Sequence, residues 1–264
     1  MSLIDSHCHL ESFQKKGDLG ATLDRARAEG LEHLVAIGTD TDDWSVYRQL
    51  RADYPDFISY TVGMHPCHVD QDWWSQVSAL ASFFIPPHTP VGLGEIGLDY
   101  YHLPNDKTAA AQQVDMQEEA FRHQLDIALQ LDCPLVIHSR NAFDDCVRII
   151  DESGVDWRKV VFHCFSEGPE QVKQLNERGG RASFTGIITY KSAESVREAA
   201  REQGIERLMI ETDCPYLTPV PLRGKPNEPA YLAHIAKFCA NLFGMESQAF
   251  EERVTANTRE FFFL

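Results

Sequence analysis

The chain has 264 residues, 43% hydrophobic and 24% charged, which suits one large domain such as an α/β barrel of about 250 residues. A formal net charge of −16 excludes a surface built wholesale to coat nucleic acid or anionic membrane, though not a small basic patch beside a metal. Seven scattered cysteines with no Cys-x-x-Cys pair, no leader-like N-terminus and no apolar run near 18 residues point to a reducing cytoplasm, without disulfides or a membrane span.

In chain order, short apolar and β-branched runs predict strands at 3–5, 33–38, 58–63, 91–95, 134–138, 160–163, 182–186 and 207–212. Helical periodicity fills the intervals at 19–29, 42–53, 71–84, 111–131, 141–152, 168–178, 191–203 and 228–242, with a last helix over 246–260. Eight β-then-α units predict an α/β fold, a single-domain (β/α)8 TIM barrel over residues 1–264. A doubly wound open sheet is the structural alternative.

Metal-seeking side chains fall at the strand ends: His7 and His9 at the first, His65 at the third, Glu95 at the fourth, His138 at the fifth, His163 at the sixth and Asp213 at the eighth. In a barrel all these ends converge on one face, where active sites form. Residues i and i+2 of a strand share a side, so His7 and His9 can grip one cation while Cys8 points into packing. Four histidines, one glutamate and one aspartate (His7, His9, His138, His163, Glu95 and Asp213) exceed the ligand set of one tetrahedral ion. They suit a pair of divalent ions about 3.5–4 Å apart, with Glu95 as bridge. The mixed nitrogen and oxygen set suits zinc, manganese or iron; magnesium prefers more oxygen but stays a candidate.

In order along the chain stand "DSHCHL" (5–10), "VGMHP" (62–66), "GEIGLDYY" (94–101), "VIHSR" (136–140), "HCFSE" (163–167), "SFTGIITYKSA" (183–193) and "ETDCPYLTPVPLRGKPNEP" (211–229). With these blocks the chain resembles the TatD family of metal-dependent deoxyribonucleases, among the amidohydrolase-like barrels. The resemblance implies that His7, His9 and Asp213 hold one metal, His138 and His163 a second, and that Glu95 bridges them. It makes His65 a supporting or substrate-phosphate group and implies 3′-to-5′ exonuclease action on single-stranded DNA. Two positions depart from the family pattern, Glu167 for a common Gly and Cys214 for a common Ser, and neither is a ligand position.

The expected chemistry is phosphodiester hydrolysis by metal-activated water, with Asp213 as ligand and base and Glu95 and His65 beside it. Arg140 and Arg223 are the candidate phosphate contacts, with Lys191 and Lys225 behind them. Tyr100 and Tyr101 are expected to pack their loop, or else to stack on a base. Trp73 and Trp74 are expected in the core or at a partner contact. "FFFL" (261–264) is expected to dock the last helix, and Asn227 and Glu228 to cap a helix start. DNA is the expected partner, with no membrane and no obligate protein partner. The alternative function is hydrolysis of a small-molecule ester, amide or lactone, which the same metal centre could serve. A non-catalytic binding protein would need a missing ligand, and none is missing.

Overall fold

Residues 3–264 are described by a computed structural model. Eight runs form parallel strands: β1 (Leu3–Cys8), β2 (Leu31–Ala36), β3 (Ile58–Val62), β4 (Gly92–Asp99), β5 (Leu135–Arg140), β6 (Val160–Phe162), β7 (Arg181–Phe184) and β8 (Met209–Ile210). They pair in sequence order from β1 to β8, which is the barrel that the alternation predicts. Because helices cover the outer face and side chains fill the inside, both faces are dry, and the strands read as nearly continuous apolar runs.

No ladder joins β8 to β1 among the described residues. The barrel closes there through single bonds just beyond β8. Asp213 N–H donates to His7 O at 2.9 Å, and His9 N–H donates to Cys214 O at 2.9 Å. Asp5, fully buried in β1, accepts from Thr212 N at 2.9 Å and from Thr212 Oγ1 at 2.5 Å. Thr212 therefore serves this seam, while Glu211 N–H still donates to Phe184 O of β7 at 3.1 Å just past β8, which ends at Ile210.

The helices are α1 (Glu11–Lys15), α2 (Leu19–Ala28), α3 (Thr41–Asp53), α4 (Trp73–Val77), α5 (Lys107–Leu131), α6 (Phe143–Ser153), α7 (Pro169–Arg178), α8 (Glu194–Gln203), α9 (Leu232–Phe243) and α10 (Ser247–Phe262). Local chemistry sets several of their ends. Asp40 caps α3 by accepting from Asp42 N, and Asp106 caps α5 by accepting from Ala109 N. The Asp106 cap starts α5 four residues before the predicted 111. Gly154 (φ 78°) and Gly179 (φ 96°) end α6 and α7 in the left-handed conformation. The predicted helix over 71–84 is instead the short α4 followed by a 3₁₀ segment, Leu80–Phe84, with Pro86 and Pro87 close behind.

The end opposite the mouth has its own apolar cluster. Ile4, Val136, Val161 and Met209, near the starts of their strands, and Val35 and Ile37, at and just past the end of β2, form one cluster with Phe261 and Phe262 of α10. The expected docking of "FFFL" is thus a floor for the barrel made by its first two phenylalanines; Phe263 stays exposed. Trp73 packs on the core as expected, whereas Trp74 is exposed beside His123.

Asp43, buried on α3, accepts from Thr39 N and Thr39 Oγ1 at 2.8 and 2.7 Å. Burial pushes its carboxyl from 3.8 up to about 7, against the pull of both Thr39 bonds. The folded chain then holds a proton that the unfolded chain has released. The resulting stability is fully present below 3.8 and is lost as pH rises through about 7. Thermal unfolding of the parent and Asp43→Asn across that range tests this: the parent should lose ground to the variant as pH rises. Parallel profiles refute it.

Candidate metal centre

Seven side chains converge at the C-terminal mouth. β1 carries His7, and His9 lies one residue past its end. His65 follows β3, Glu95 lies within β4, His138 within β5, His163 follows β6, and Asp213 follows β8. Asp213 has φ 53°, a left-handed backbone that turns the chain across the seam.

Glu95 stands at the centre and divides its oxygens. Oε2 lies 3.3 Å from His7 Nε2 and 3.8 Å from His9 Nε2. Oε1 lies 2.7 Å from both His138 Nδ1 and His163 Nε2, and 3.3 Å from His65 Nε2. Asp213 Oδ1 completes the first group, 3.6 Å from His7 Nε2 and 3.4 Å from His9 Nε2. Every residue predicted as a ligand is therefore in one cluster, and His65 is drawn in against His138 Nδ1 at 3.1 Å.

The donor set fits divalent cations. His7 Nε2 and His9 Nε2 face each other at 3.3 Å, and His138 Nδ1 and His163 Nε2 at 3.4 Å. Two imidazole nitrogens on one tetrahedral ion stand about 3.3–3.4 Å apart, given metal–nitrogen bonds of about 2.0–2.1 Å. The second group differs in one respect: Glu95 Oε1 sits at hydrogen-bond length from His138 and His163, and an ion there would spread those contacts. Burial works to raise the Glu95 carboxyl, but His163 and His65 hold it well below the ordinary carboxylate range. Asp213 is likewise held low against burial, chiefly by His9, while Asp213 lifts His9 to about 10 despite burial. The carboxylates are thus charged at neutral pH in a buried place, with the surrounding imidazoles as their partners.

Three supporting carboxylates do not appear among the predicted site residues. Asp99 Oδ2 lies 3.1 Å from His138 Nε2 and orients that ring, while Gln117 bonds the Asp99 backbone on both sides. Glu211 accepts from Cys164 N at 2.6 Å and faces His163 Nδ1 at 3.6 Å. Asp5 accepts from His7 N at 3.3 Å as well as from Thr212. Gly97 allows β4 and β5 to meet: a Cβ there would stand 2.0 Å from His138 O. Losing a carboxylate that orients a ligand histidine typically lowers metal affinity or activity by about 10- to 100-fold. Asp99→Asn should show a loss of that size in a metal titration followed by an activity assay; parental values would mean that His138 holds itself.

The cluster opens into a cavity of about 850 Å³, walled by Lys15, Arg140, Tyr216 and several further carboxylates. Arg140 is on this wall, its guanidinium 4.0 Å from the centre of the Tyr101 ring. Tyr101 is therefore not packed as expected but 60% exposed under that cation, while Tyr100 packs on the core. Arg223 is not on the wall; it lies over Tyr190 at 4.1 Å. Lys191 and Lys225 are also exposed off the wall. Asn227 is not a helix cap. Its buried side chain donates to Thr212 O and Tyr216 O, pinning the 222–229 loop to the seam, and Glu228 pairs with Arg25. Lys15 stands outside every quoted block, and Tyr216, though inside the 211–229 block, is not among the predicted site residues.

A family model described as "TatD related DNase" matches residues 4–263. The uncharacterized metal-dependent hydrolase YabD of Bacillus subtilis is 34% identical over 98% of both chains. The uncharacterized metal-dependent hydrolase YcfH of Escherichia coli K12 is also 34% identical, over 99% of this chain and 96% of its own. Among solved structures, YjjV, a TatD homolog from Escherichia coli K12, superposes with a TM-score of 0.90 at 25% identity, covering 99% of this chain and 98% of its own. Among the described residues, no helix is long and apolar enough to cross a membrane. With likeness running from β1 to the end of α10, the chain belongs to the TatD family of metal-dependent hydrolases.

Proposed function

We propose that this hydrolase cleaves phosphodiester bonds, as a deoxyribonuclease that shortens single-stranded DNA from the 3′ end. The observation that carries the reading is Glu95, whose two oxygens serve two separate histidine groups in one open mouth. Strand form and polarity rest on the family resemblance alone. In this reading His7, His9 and Asp213 would hold one divalent ion and His138 and His163 a second, with Glu95 reaching both groups. When bound, magnesium, manganese or zinc supplies the Lewis acidity that activates water and offsets phosphate charge.

The chain's own residues do the remaining work. Asp213, charged and at the edge of the cavity, receives the proton of the attacking water on its carboxylate. His65, beside Glu95 and His138, presents its ring to a phosphate oxygen. Arg140, its guanidinium 4.0 Å from the centre of the Tyr101 ring, binds the neighbouring phosphate. Tyr216, 62% exposed with its ring 6.3 Å from that of His9, gives a terminal base a surface to stack on. Arg223, off the wall, drops out of the contact set.

The acidic wall favours a second reading, an uncharged small ester, amide or lactone as substrate. An end-labelled single-stranded oligomer decides between them. It is mixed with chelator-stripped protein to which magnesium, manganese or zinc is returned singly, with Asp213→Asn as control. A metal-dependent ladder shortening from the 3′ end, absent in the variant and weakened by salt, supports the nuclease. No cleavage by protein shown to bind its ions overturns it and turns the search to small substrates.

A further inference from the structure

One group of metal-seeking side chains lies on the same wall but outside the cluster around Glu95. Cys67 sits on the 3₁₀ turn Pro66–His68, its N–H bonded to His65 Nδ1 at 3.1 Å. His102 follows β4 on the facing loop, and Asp99 ends β4 below them both. Cys67 Sγ is 3.5 Å from Asp99 Oδ2 and 3.7 Å from His102 Nδ1, and His102 Nδ1 is 2.9 Å from Asp99 Oδ2. The other Asp99 oxygen is already taken, accepting from Tyr101 N and His102 N. Backbone bonds thus fix the carboxylate with Oδ2 turned toward the thiol and the imidazole.

We propose that Cys67, Asp99 and His102 form a third cation site, suited to zinc and closed to magnesium, that acts on His138 through Asp99. The geometry is that of one face of a zinc tetrahedron. With zinc–sulfur near 2.3 Å and zinc–nitrogen or zinc–oxygen near 2.0–2.2 Å, both edges from sulfur should be about 3.6 Å and the nitrogen–oxygen edge about 3.4 Å. The two sulfur edges already have that length, and the third needs about half an ångström of opening. Thiolate and imidazole select zinc over magnesium, which keeps to oxygen ligands. Cys67 and His102 are exposed, so solvent reaches the fourth position, while Asp99 is anchored below at 1% exposure.

The link to the candidate metal centre is a shared atom. Asp99 Oδ2 is also the oxygen that faces His138 Nε2 at 3.1 Å. A cation drawing on that oxygen loosens its hold on the His138 ring. Zinc in excess should therefore fill the outer site and slow the enzyme, whereas magnesium in excess should not. This coupling rests on the function proposed above; the binding itself does not.

Cobalt(II) provides the test, because a cysteine thiolate on cobalt gives a charge-transfer band in the near ultraviolet. None of the six predicted ligands around Glu95 is a sulfur, and a band arising from Cys164, the other thiol on the wall, would survive Cys67→Ser. Chelator-stripped parent protein is titrated with cobalt and, separately, dialysed against zinc and analysed for metal. The parent should show the band and hold one more zinc per chain than Cys67→Ser or His102→Ala, and both variants should lose the band. Both changes are at exposed positions, and circular dichroism checks that they fold. Absence of the band from the parent, its persistence in Cys67→Ser, or equal zinc content in parent and variants overturns the proposal. The band without metal at the Glu95 cluster would sink the two-ion reading and leave the outer site standing. Metal at the cluster without the band would do the reverse.

Discussion

Glu95→Gln is expected to lower turnover by on the order of 10³, about 4 kcal/mol of barrier, with the fold intact. The amide matches the carboxylate in shape but keeps only one oxygen, whereas both Glu95 oxygens face histidine nitrogens within 3.8 Å. Whichever way the amide turns, one histidine group meets an NH₂ donor in place of an acceptor. The substitution also removes a buried negative charge at the centre of five histidines, so cation affinity falls together with turnover. Turnover measured at saturating metal, beside metal content per chain, separates the two losses. Parental turnover with a full metal complement would remove Glu95 from the bridging role.

At the opposite end of the barrel, Phe262→Ala should cost about 3–5 kcal/mol of stability, which lowers Tm by on the order of 10 °C. Phe262 is 2% exposed, and its ring packs edge-on to Phe261 at 4.9 Å in the cluster with Ile4, Val136, Val161 and Met209. The neighbouring strands are held by their ladders and cannot collapse into the space, so the cavity persists. Arg181, buried with its guanidinium 5.0 Å from the Phe261 ring, would lose part of its apolar shield as well. Below the new Tm, turnover should stay near the parental value, because the floor and the mouth are at opposite ends. A Tm unchanged by the substitution would show that Phe261 alone seals the floor.

Much of this architecture is legible in the sequence because six of the eight strands announce themselves twice, by an apolar run and by an acid or imidazole at or near the end. His7, His9, Glu95, His138, His163 and Asp213 could be placed at one mouth for that reason, and they do meet there. Asp99, Glu211 and Asp5 were not singled out, since a lone carboxylate gains its meaning from a partner far along the chain. Asp99 and His138 are 39 residues apart, and Asp5 and Thr212 are 207 apart. Yet each lies an even number of positions from a predicted ligand: Asp5 before His7, Glu211 before Asp213, Asp99 after Glu95. Strand alternation puts such pairs on one side in β1 and β4, whereas Glu211 and Asp213 lie past the end of β8, where alternation no longer applies. The arginines divide for another reason. Arg140 is fixed by its place at the end of β5, whereas Arg223 lies in a long loop whose course is set by the buried Asn227 and not by any periodicity.

The seam between β8 and β1 gives the proposed ions a second consequence. His7 and His9 stand on one side of that junction and Asp213 on the other, where individual bonds replace a continuous ladder. An ion held by all three would clasp that joint of the wall. A ligand that binds only the closed form stabilises it by RT ln(1 + [L]/Kd), about 2.7 kcal/mol at a hundredfold excess over Kd. Stripping the metal should therefore leave most of the barrel's amides as protected as before, while those of His9 and Asp213 exchange with solvent much faster. A cation recruited for chemistry would in this way also decide how often the barrel breathes, and where.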